Sequence, residues 1–406
     1  MSEALRPAAD WELAGMIAGF ASRNQSVEIV GNRTKARVGR PMRTAATITT
    51  QSLRGIKLYE PTELVMSAAA GTPLAQIEAE LAGNGQLLAF EPIDLGPATG
   101  GPAGMQTIGG VFAANLSGAR RVTAGAARDH LIGLKGVNGR SEIFKSGGRV
   151  MKNVTGYDLA RGIAGSWGTL AVITEVTFKV LPWPESATTL VYAGLPDDIA
   201  IELLCTAVGT PYEVSGAVHL SSGLAKRLSH SSLAAAGAPL TAIRLENFAH
   251  SVAYRKQRVA DILTAYGAPI ELDYAETQGF WGELRQLRVL NDMPSCLWRI
   301  STSPSKGPKV VAAIRRHMDV ETCYDWSGGL IWMEVPASAD AGASDIRRAV
   351  AMHGGHATLI RAEESVRSSI DVFQPQTPTL ERLTLDLKSA FDPQGVLNPG
   401  RMYPRV

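Results

Sequence analysis

The stretch Thr107-Ile108-Gly109-Gly110-Val111-Phe112-Ala113-Ala114-Asn115-Leu116-Ser117-Gly118 decides how this 406-residue chain is read. A hydroxyl residue ahead of two glycines and a small apolar run predicts an N-capped helix whose N-terminus carries partial positive charge. Glycine lets backbone approach a ligand closely, and consecutive N–H groups can form an anion-binding concavity. Two further small-residue turns accompany it. Gly31-Asn32-Arg33-Thr34-Lys35 follows a short strand, Val27 to Val30, and brings a hydroxyl and an ammonium. Gly165-Ser166-Trp167-Gly168-Thr169 runs into a long alternating strand, Thr169 to Leu181. Taken singly, each reads more readily as a tight turn in a twisted sheet. Together in one region they suit a large phosphate-bearing cofactor.

Composition supports a soluble enzyme or enzyme subunit. The chain holds 41 glycines, and 17 of them fall in the 73 residues from Gly96 to Gly168, where the average rate predicts about 5. Forty Lys and Arg against 38 Asp and Glu give +2 without long runs of one sign, which excludes a nucleic-acid protein or a polybasic membrane binder. Cys205, Cys296 and Cys323 are too scattered to hold an iron–sulfur cluster or a structural zinc, and so few thiols fit a reducing compartment. No secretory leader and no 18-residue apolar run are found, so a cytoplasmic location is expected, with any membrane contact peripheral and through a partner. G-x-G-x-x-G, G-x-x-x-x-G-K-[ST], G-x-S-x-G and H-E-x-x-H are all missing. His353 and His356 are separated by two glycines, a poor metal-binding face.

Outward from the glycine block, Leu13, Met16, Ile17 and Phe20 repeat at helical spacing behind Asp10. A strand from Leu64 to Ala69 leads through Gly71 and Thr72-Pro73 into a helix that buries Leu74, Ile77 and Leu81. Leu131 to Val137 and Glu142 to Lys145 flank Asn138-Gly139, a hairpin signal. Pro182-Trp183-Pro184 stops the long strand and marks a domain boundary. Beyond it strands alternate with amphipathic helices, predicting an α+β unit on an antiparallel sheet. A last helix, Thr379 to Phe391, carries Leu380, Leu383 and Leu387 on one face.

The order Thr107-Ile108-Gly109-Gly110, Ser117-Gly118, Gly125-Ala126-Ala127-Arg128-Asp129-His130-Leu131-Ile132-Gly133, Lys152-Asn153-Val154-Thr155-Gly156-Tyr157-Asp158 and Gly165-Ser166-Trp167-Gly168-Thr169-Leu170 resembles the FAD-binding domain of the vanillyl-alcohol-oxidase class of flavoproteins. The tail Asp392-Pro393…Asn398-Pro399-Gly400-Arg401 is similar to that of its D-2-hydroxyacid dehydrogenase branch. Tyr59-Glu60-Pro61-Thr62-Glu63-Leu64, Gly71-Thr72-Pro73-Leu74 and Gly147-Gly148-Arg149-Val150-Met151-Lys152-Asn153-Val154 look like the smaller FAD-binding subunits of bacterial glycolate oxidase, a complex that also contains a catalytic FAD subunit and an iron–sulfur subunit.

The resemblance implies an α+β protein with a PCMH-type FAD-binding domain over 1–183 (subdomains of about 1–57 and 58–183), a cap domain over 184–362 with an antiparallel sheet, and a segment 363–406 returning to the FAD domain. It places Gly31, Thr34 and Lys35 at the pyrophosphate, and Pro92, Thr107, Ile108, Gly109 and Gly110 along the diphosphate and ribityl chain with Ser117 and Gly118 nearby. Gly165, Gly168 and Ile173 fall on the adenosine side. No histidine stands in the first loop, so FAD is expected to be non-covalent. Asn32 and Arg33 occupy places where the family has glycine, and Gly96 to Gln106 reads as a local insertion. The His-x-Gly-Asp-Gly-Asn phrase of the autonomous dehydrogenases is missing. The implied function is an electron-transfer subunit of a complex oxidising glycolate to glyoxylate, with substrate chemistry mainly in a partner. One alternative is a self-sufficient dehydrogenase of a small 2-hydroxy acid, D-lactate or glycolate, with His356 as base and Arg361 as carboxylate anchor. Another is a structural subunit without flavin that docks through Arg120-Arg121 and the cap helices. Gly109→Val is expected to block flavin retention.

Overall fold

The computed structural model describes residues 4–148 and 157–406; most of the Gly147 to Val154 phrase and the Lys152 to Gly156 motif lie outside the described residues. The opening helix, Asp10–Ser22, buries Leu13, Ile17 and Phe20. It covers a parallel pair, Val27–Val30 with Ala46–Thr49, and Val396 and Leu397 from the distant tail complete that core. The second strand of the pair has little sequence signature, because Ala46-Thr47-Ile48-Thr49 offers one large apolar residue.

A five-stranded antiparallel sheet follows, in the order Ile56–Glu60, Val65–Ala69, Ala171–Lys179, Leu131–Asn138, Ile143–Gly147. The hairpin at Asn138-Gly139 is formed, with Val137 opposite Ile143. Ala171–Lys179 is central and buried on both sides: Val172 enters the core under the opening helix, while Ile173, Val176 and Phe178 pack with Ile77 and Phe112. The helices Leu74–Gly83 and Ile108–Ala114 supply those partners.

After Pro184 an eight-stranded antiparallel sheet runs Ile270–Leu272, Ser186–Ala193, Leu240–Asn247, Val214–Leu220, Glu321–Asp325, Leu330–Val335, Cys296–Ser301, His356–Arg361. The amphipathic helices expected between its strands are Asp197–Val208, Ala249–Ile262, Gly307–Arg315 and Ala343–His353. Tyr274–Arg285 is a further helix, opened by an Asp273/Glu276 capping box whose spacing is visible in the sequence.

The tail helix, Pro378–Phe391, turns its leucine face outward. Leu380, Leu383 and Leu387 are 53%, 55% and 42% exposed, and Lys388 is the one buried residue of this helix. The reason is polar: the Lys388 ammonium donates to Asp392 and to the carbonyls of Thr169 and Leu397, so the helix docks through a charge. Among the described residues no helix is long and apolar enough to cross a membrane.

Candidate functional site

A cleft opens between the first loop, the start of Ile108–Ala114 and the turn before Ala171–Lys179. Its walls are fixed from behind. Thr49 Oγ1 donates to Gly31 O, and Ile29 N donates to Asn398 Oδ1, so the exit of the first strand is held by its neighbour and by the tail. Thr107 caps the helix, its hydroxyl accepting from Gly110 N at 3.4 Å. Any Cβ at Gly31 would overlap that hydroxyl. The glycine therefore lets the first loop and the helix start form one wall.

Gly31, Thr34, Lys35, Thr107, Gly109, Gly110, Gly168 and Ile173 line this cleft. Pro92, Ile108, Ser117, Gly118 and Gly165 lie outside it. Ile108 is in the core. Pro92 O accepts from Arg285, the Ser117 hydroxyl accepts from Ala127 N, and Gly118 N donates to the carbonyls of Phe90 and Glu91. Gly165 N donates to Phe112 O. Thr50, Trp167 and Arg401 join the lining without having been singled out by sequence. Arg401 had a visible signal, the Asn398-Pro399-Gly400-Arg401 phrase, but nothing in that phrase tells which side chain turns inward.

Gly109 lines the cleft and also packs tightly against the protein behind it. A Cβ there would stand 2.6 Å from Ala70 Cβ and 2.9 Å from Ala70 O, so Gly109→Val clashes inside the protein. At Gly110 a Cβ would meet only Thr107 Oγ1, at 3.3 Å. Gly110→Val is expected to keep a cooperative melt while losing bound cofactor on gel filtration, whereas Gly109→Val should lose about 1–3 kcal/mol or more of stability by overpacking. Equal cofactor content in native and Gly110→Val protein would contradict this placement.

The non-glycine residues of the first loop leave the cleft open. Asn32 Nδ2 donates to Met105 O at 2.9 Å, and its Oδ1 accepts from Gln51. Arg33 takes φ +58°, the left-handed conformation glycine adopts without strain, and its guanidinium pairs outward with Glu28 at 3.1 Å. Lys35 is buried, with Nζ on Gln106 Oε1 at 2.5 Å. Burial pushes its pKa down to about 8; the Arg401 charge adds to that and Asp94 opposes it. Arg401 is 6% exposed, donates through Nη2 to Lys35 O at 2.8 Å and lies over the Trp167 ring.

His356 and Arg361 do not meet as a catalytic pair. They stand at opposite ends of one strand, His356 opposite Ser301 and Arg361, past a bulge, opposite Leu297. Arg361 donates to the carbonyls of Ser295, Ala98 and Leu290 and pairs with Glu334 at 2.9 Å, so its fork is committed to structure. His356 is held below its ordinary pKa by partial burial and then by the charges of Arg299, Arg121 and Arg347.

Residues 4–147 match the family model described as FAD binding domain. Glycolate oxidase subunit GlcE of Escherichia coli is 34% identical over 384 residues, covering 93% of each chain. Glycolate oxidase subunit GlcD of Bacillus subtilis is 43% identical over 86 residues, 21% of this chain and 18% of that protein. Among solved structures, p-cresol methylhydroxylase superposes with a TM-score of 0.72 at 14% identity, covering 98% of this chain and 88% of that one. Alkyldihydroxyacetonephosphate synthase gives 0.68 at 15%, covering 97% and 76%. At such identities these two likenesses establish the fold alone: an α+β, PCMH-type flavoprotein architecture.

Proposed function

Because this chain belongs to the family of glycolate oxidase subunit GlcE, whose N-terminal part is an FAD-binding domain, we propose that it is the FAD-holding electron-transfer subunit of a complex that oxidises glycolate to glyoxylate. Substrate chemistry lies mainly in a partner. The observation that carries the reading is Lys35, a buried ammonium in the wall of the cleft with no ion pair among the described residues. A buried cation without a counter-charge is costly, and a diphosphate supplies one. Bound FAD would supply two-electron redox chemistry.

The chain's own residues position and shield that group. Thr34 and Lys35 would meet the diphosphate from the first loop, Gly110 would meet it from the helix start, and Gly168 and Ile173 would close the adenosine side. A non-covalent mode of binding is favoured by the lining of the cleft, which among the described residues contains no histidine, cysteine or tyrosine, and His130 is buried against Phe90 with Nε2 within 2.9 Å of Ala124 O. The outward turn of Arg33 and the engagement of Asn32 favour retention of FAD over a flavin-free structural role. The committed fork of Arg361 disfavours autonomous 2-hydroxyacid chemistry. The complex would be completed by a catalytic FAD subunit and by an iron–sulfur chain, since the three scattered cysteines here carry no cluster. The assembly would be cytoplasmic, peripheral to the inner membrane through a partner. The same reading divides the chain at 183 and 362. Stopped-flow mixing of the flavin-loaded chain with glycolate tests the division of labour: slow or no bleaching supports it, and bleaching at turnover rates contradicts it.

The lowered pKa of Lys35 makes FAD affinity pH-dependent. In the free cleft its ammonium is lost as pH rises through about 8. A bound diphosphate favours the ammonium, so above that pH binding takes up a proton and affinity falls, approaching about tenfold per pH unit. Flavin-fluorescence titrations at about pH 7 and about pH 9.5 should show this, and Lys35→Gln should flatten the profile. A native profile already flat over that range would contradict the role given to Lys35.

A further inference from the structure

We propose that Arg401, contributed by the C-terminal tail, is a cofactor-binding residue that donates to the FAD diphosphate as the second cation beside Lys35. This assignment rests on the FAD reading above and extends it to a part of the chain outside the residues matched as the FAD-binding domain.

Three observations carry it. Arg401 lines the cleft and is buried, yet its Nε has no partner and the residue forms no ion pair among the described residues. The nearby acids are committed elsewhere. Glu28 pairs with Arg33, and Asp94 accepts from Gly96 N and Gly104 N at 2.9 and 2.6 Å. Lys35 and Arg401 thus stand as like charges in one wall; burial lowers the proton affinity of both, and the Arg401 charge lowers that of Lys35 further. Like charges in a low-dielectric wall repel, and the arrangement is relieved by an anion between them. A diphosphate diester carries two negative charges and matches the pair.

The tail is also held rigidly enough to present the fork. Asn398 Nδ2 donates to Trp167 O and its Oδ1 accepts from Ile29 N, while Arg401 O accepts from Arg40 N. The guanidinium is therefore fixed before ligand arrives, the condition under which a charge-assisted hydrogen bond contributes most.

The test is equilibrium titration of the full chain with FAD, ADP and riboflavin, comparing native protein with Arg401→Gln, Arg401→Met and Arg401→Lys, each checked first by its apo melting curve. Two charge-removing variants guard against one failing to fold. The proposal expects FAD and ADP to bind at least about tenfold more weakly to Arg401→Gln or Arg401→Met, riboflavin to be unchanged, and Arg401→Lys to recover most of the loss. Native affinity for FAD and ADP in the charge-removing variants would overturn it. So would an equal loss for riboflavin, which has no phosphate, because that marks a merely structural role. A native chain that binds neither FAD nor ADP would instead remove the FAD reading itself, and this assignment with it.

Discussion

Glu91→Ala is expected to destabilise the protein by about 3–5 kcal/mol, because it leaves two buried guanidiniums short of a counter-charge. Glu91 Oε1 and Oε2 each accept from the Arg244 fork at 2.9 Å, and Oε2 also accepts from Arg120 N at 2.7 Å. Arg120 pairs with Glu91 at 3.1 Å and forks onto Glu246 at 2.8 Å. Two carboxylates and two guanidiniums thus form a closed square in which Glu91 and Arg120 come from the flavin-side unit and Arg244 and Glu246 from the eight-stranded sheet. The square makes sense only with all four members. Its acid response follows. Burial opposes the charge on Glu91, but Arg120 and Arg244 outweigh it and hold the pKa down to about 2. A depressed carboxylate stabilises the fold above its unfolded pKa, so this contribution is lost as pH falls from about 4.5 towards about 2. Urea denaturation near neutral pH checks the variant. A Glu91→Ala midpoint within experimental error of native would show that the square adds nothing.

Asp392→Ala is expected to cost a similar about 3–5 kcal/mol and also to loosen the cofactor cleft. Asp392 is buried, accepts from Lys388 Nζ at 2.7 Å and from Val396 N and Leu397 N at 2.9 and 2.8 Å. Removing it strands the Lys388 ammonium, which burial already disfavours. The damage extends beyond the helix. Leu397 and Asn398 hold the parallel pair and the Trp167 turn, and both feed the cleft wall. Lys388→Met combined with Asp392→Ala should be less damaging than Asp392→Ala alone, since no buried charge is left unpaired. Comparing the melting curves of the single and double variants checks this. A double variant as unstable as the sum of the two singles would contradict the pairing.

What the sequence disclosed and what it hid follow from how local each cause is. Turns, caps and alternation are local, so the Thr107 cap, the Asn138-Gly139 hairpin and the strand through Val172 to Phe178 could be read directly. Eight of the cofactor residues expected from family resemblance line one cleft for the same reason: Gly31, Thr34, Lys35, Thr107 and Gly168 belong to short turns, Gly109 and Gly110 open a capped helix, and Ile173 lies on the alternating strand. Pro92, Ser117 and Gly118 were placed by analogy, and here their polar groups are spent on neighbouring backbone and on Arg285. The leucine stripe at 380, 383 and 387 shows the limit of periodicity. A stripe announces one face, but which face docks was decided by Lys388 and its carbonyl partners, one of them on Thr169 in a distant part of the chain. Arg361 shows the same limit for chemistry. Its proximity in sequence to His356 suggested a catalytic pair, whereas a bulged, alternating strand points it into a nest of carbonyls.

We propose that this chain holds FAD without a covalent bond and leaves the oxidation of glycolate to a partner. The most direct measurement is the absorbance spectrum of the purified full chain after incubation with FAD and gel filtration, recorded before and after glycolate and again after acid precipitation. The predicted result is flavin absorbance that co-elutes with the protein, persists when glycolate is added and passes entirely into the acid supernatant. A folded chain that stays colourless, flavin that remains in the acid pellet, or prompt bleaching by glycolate would each contradict it.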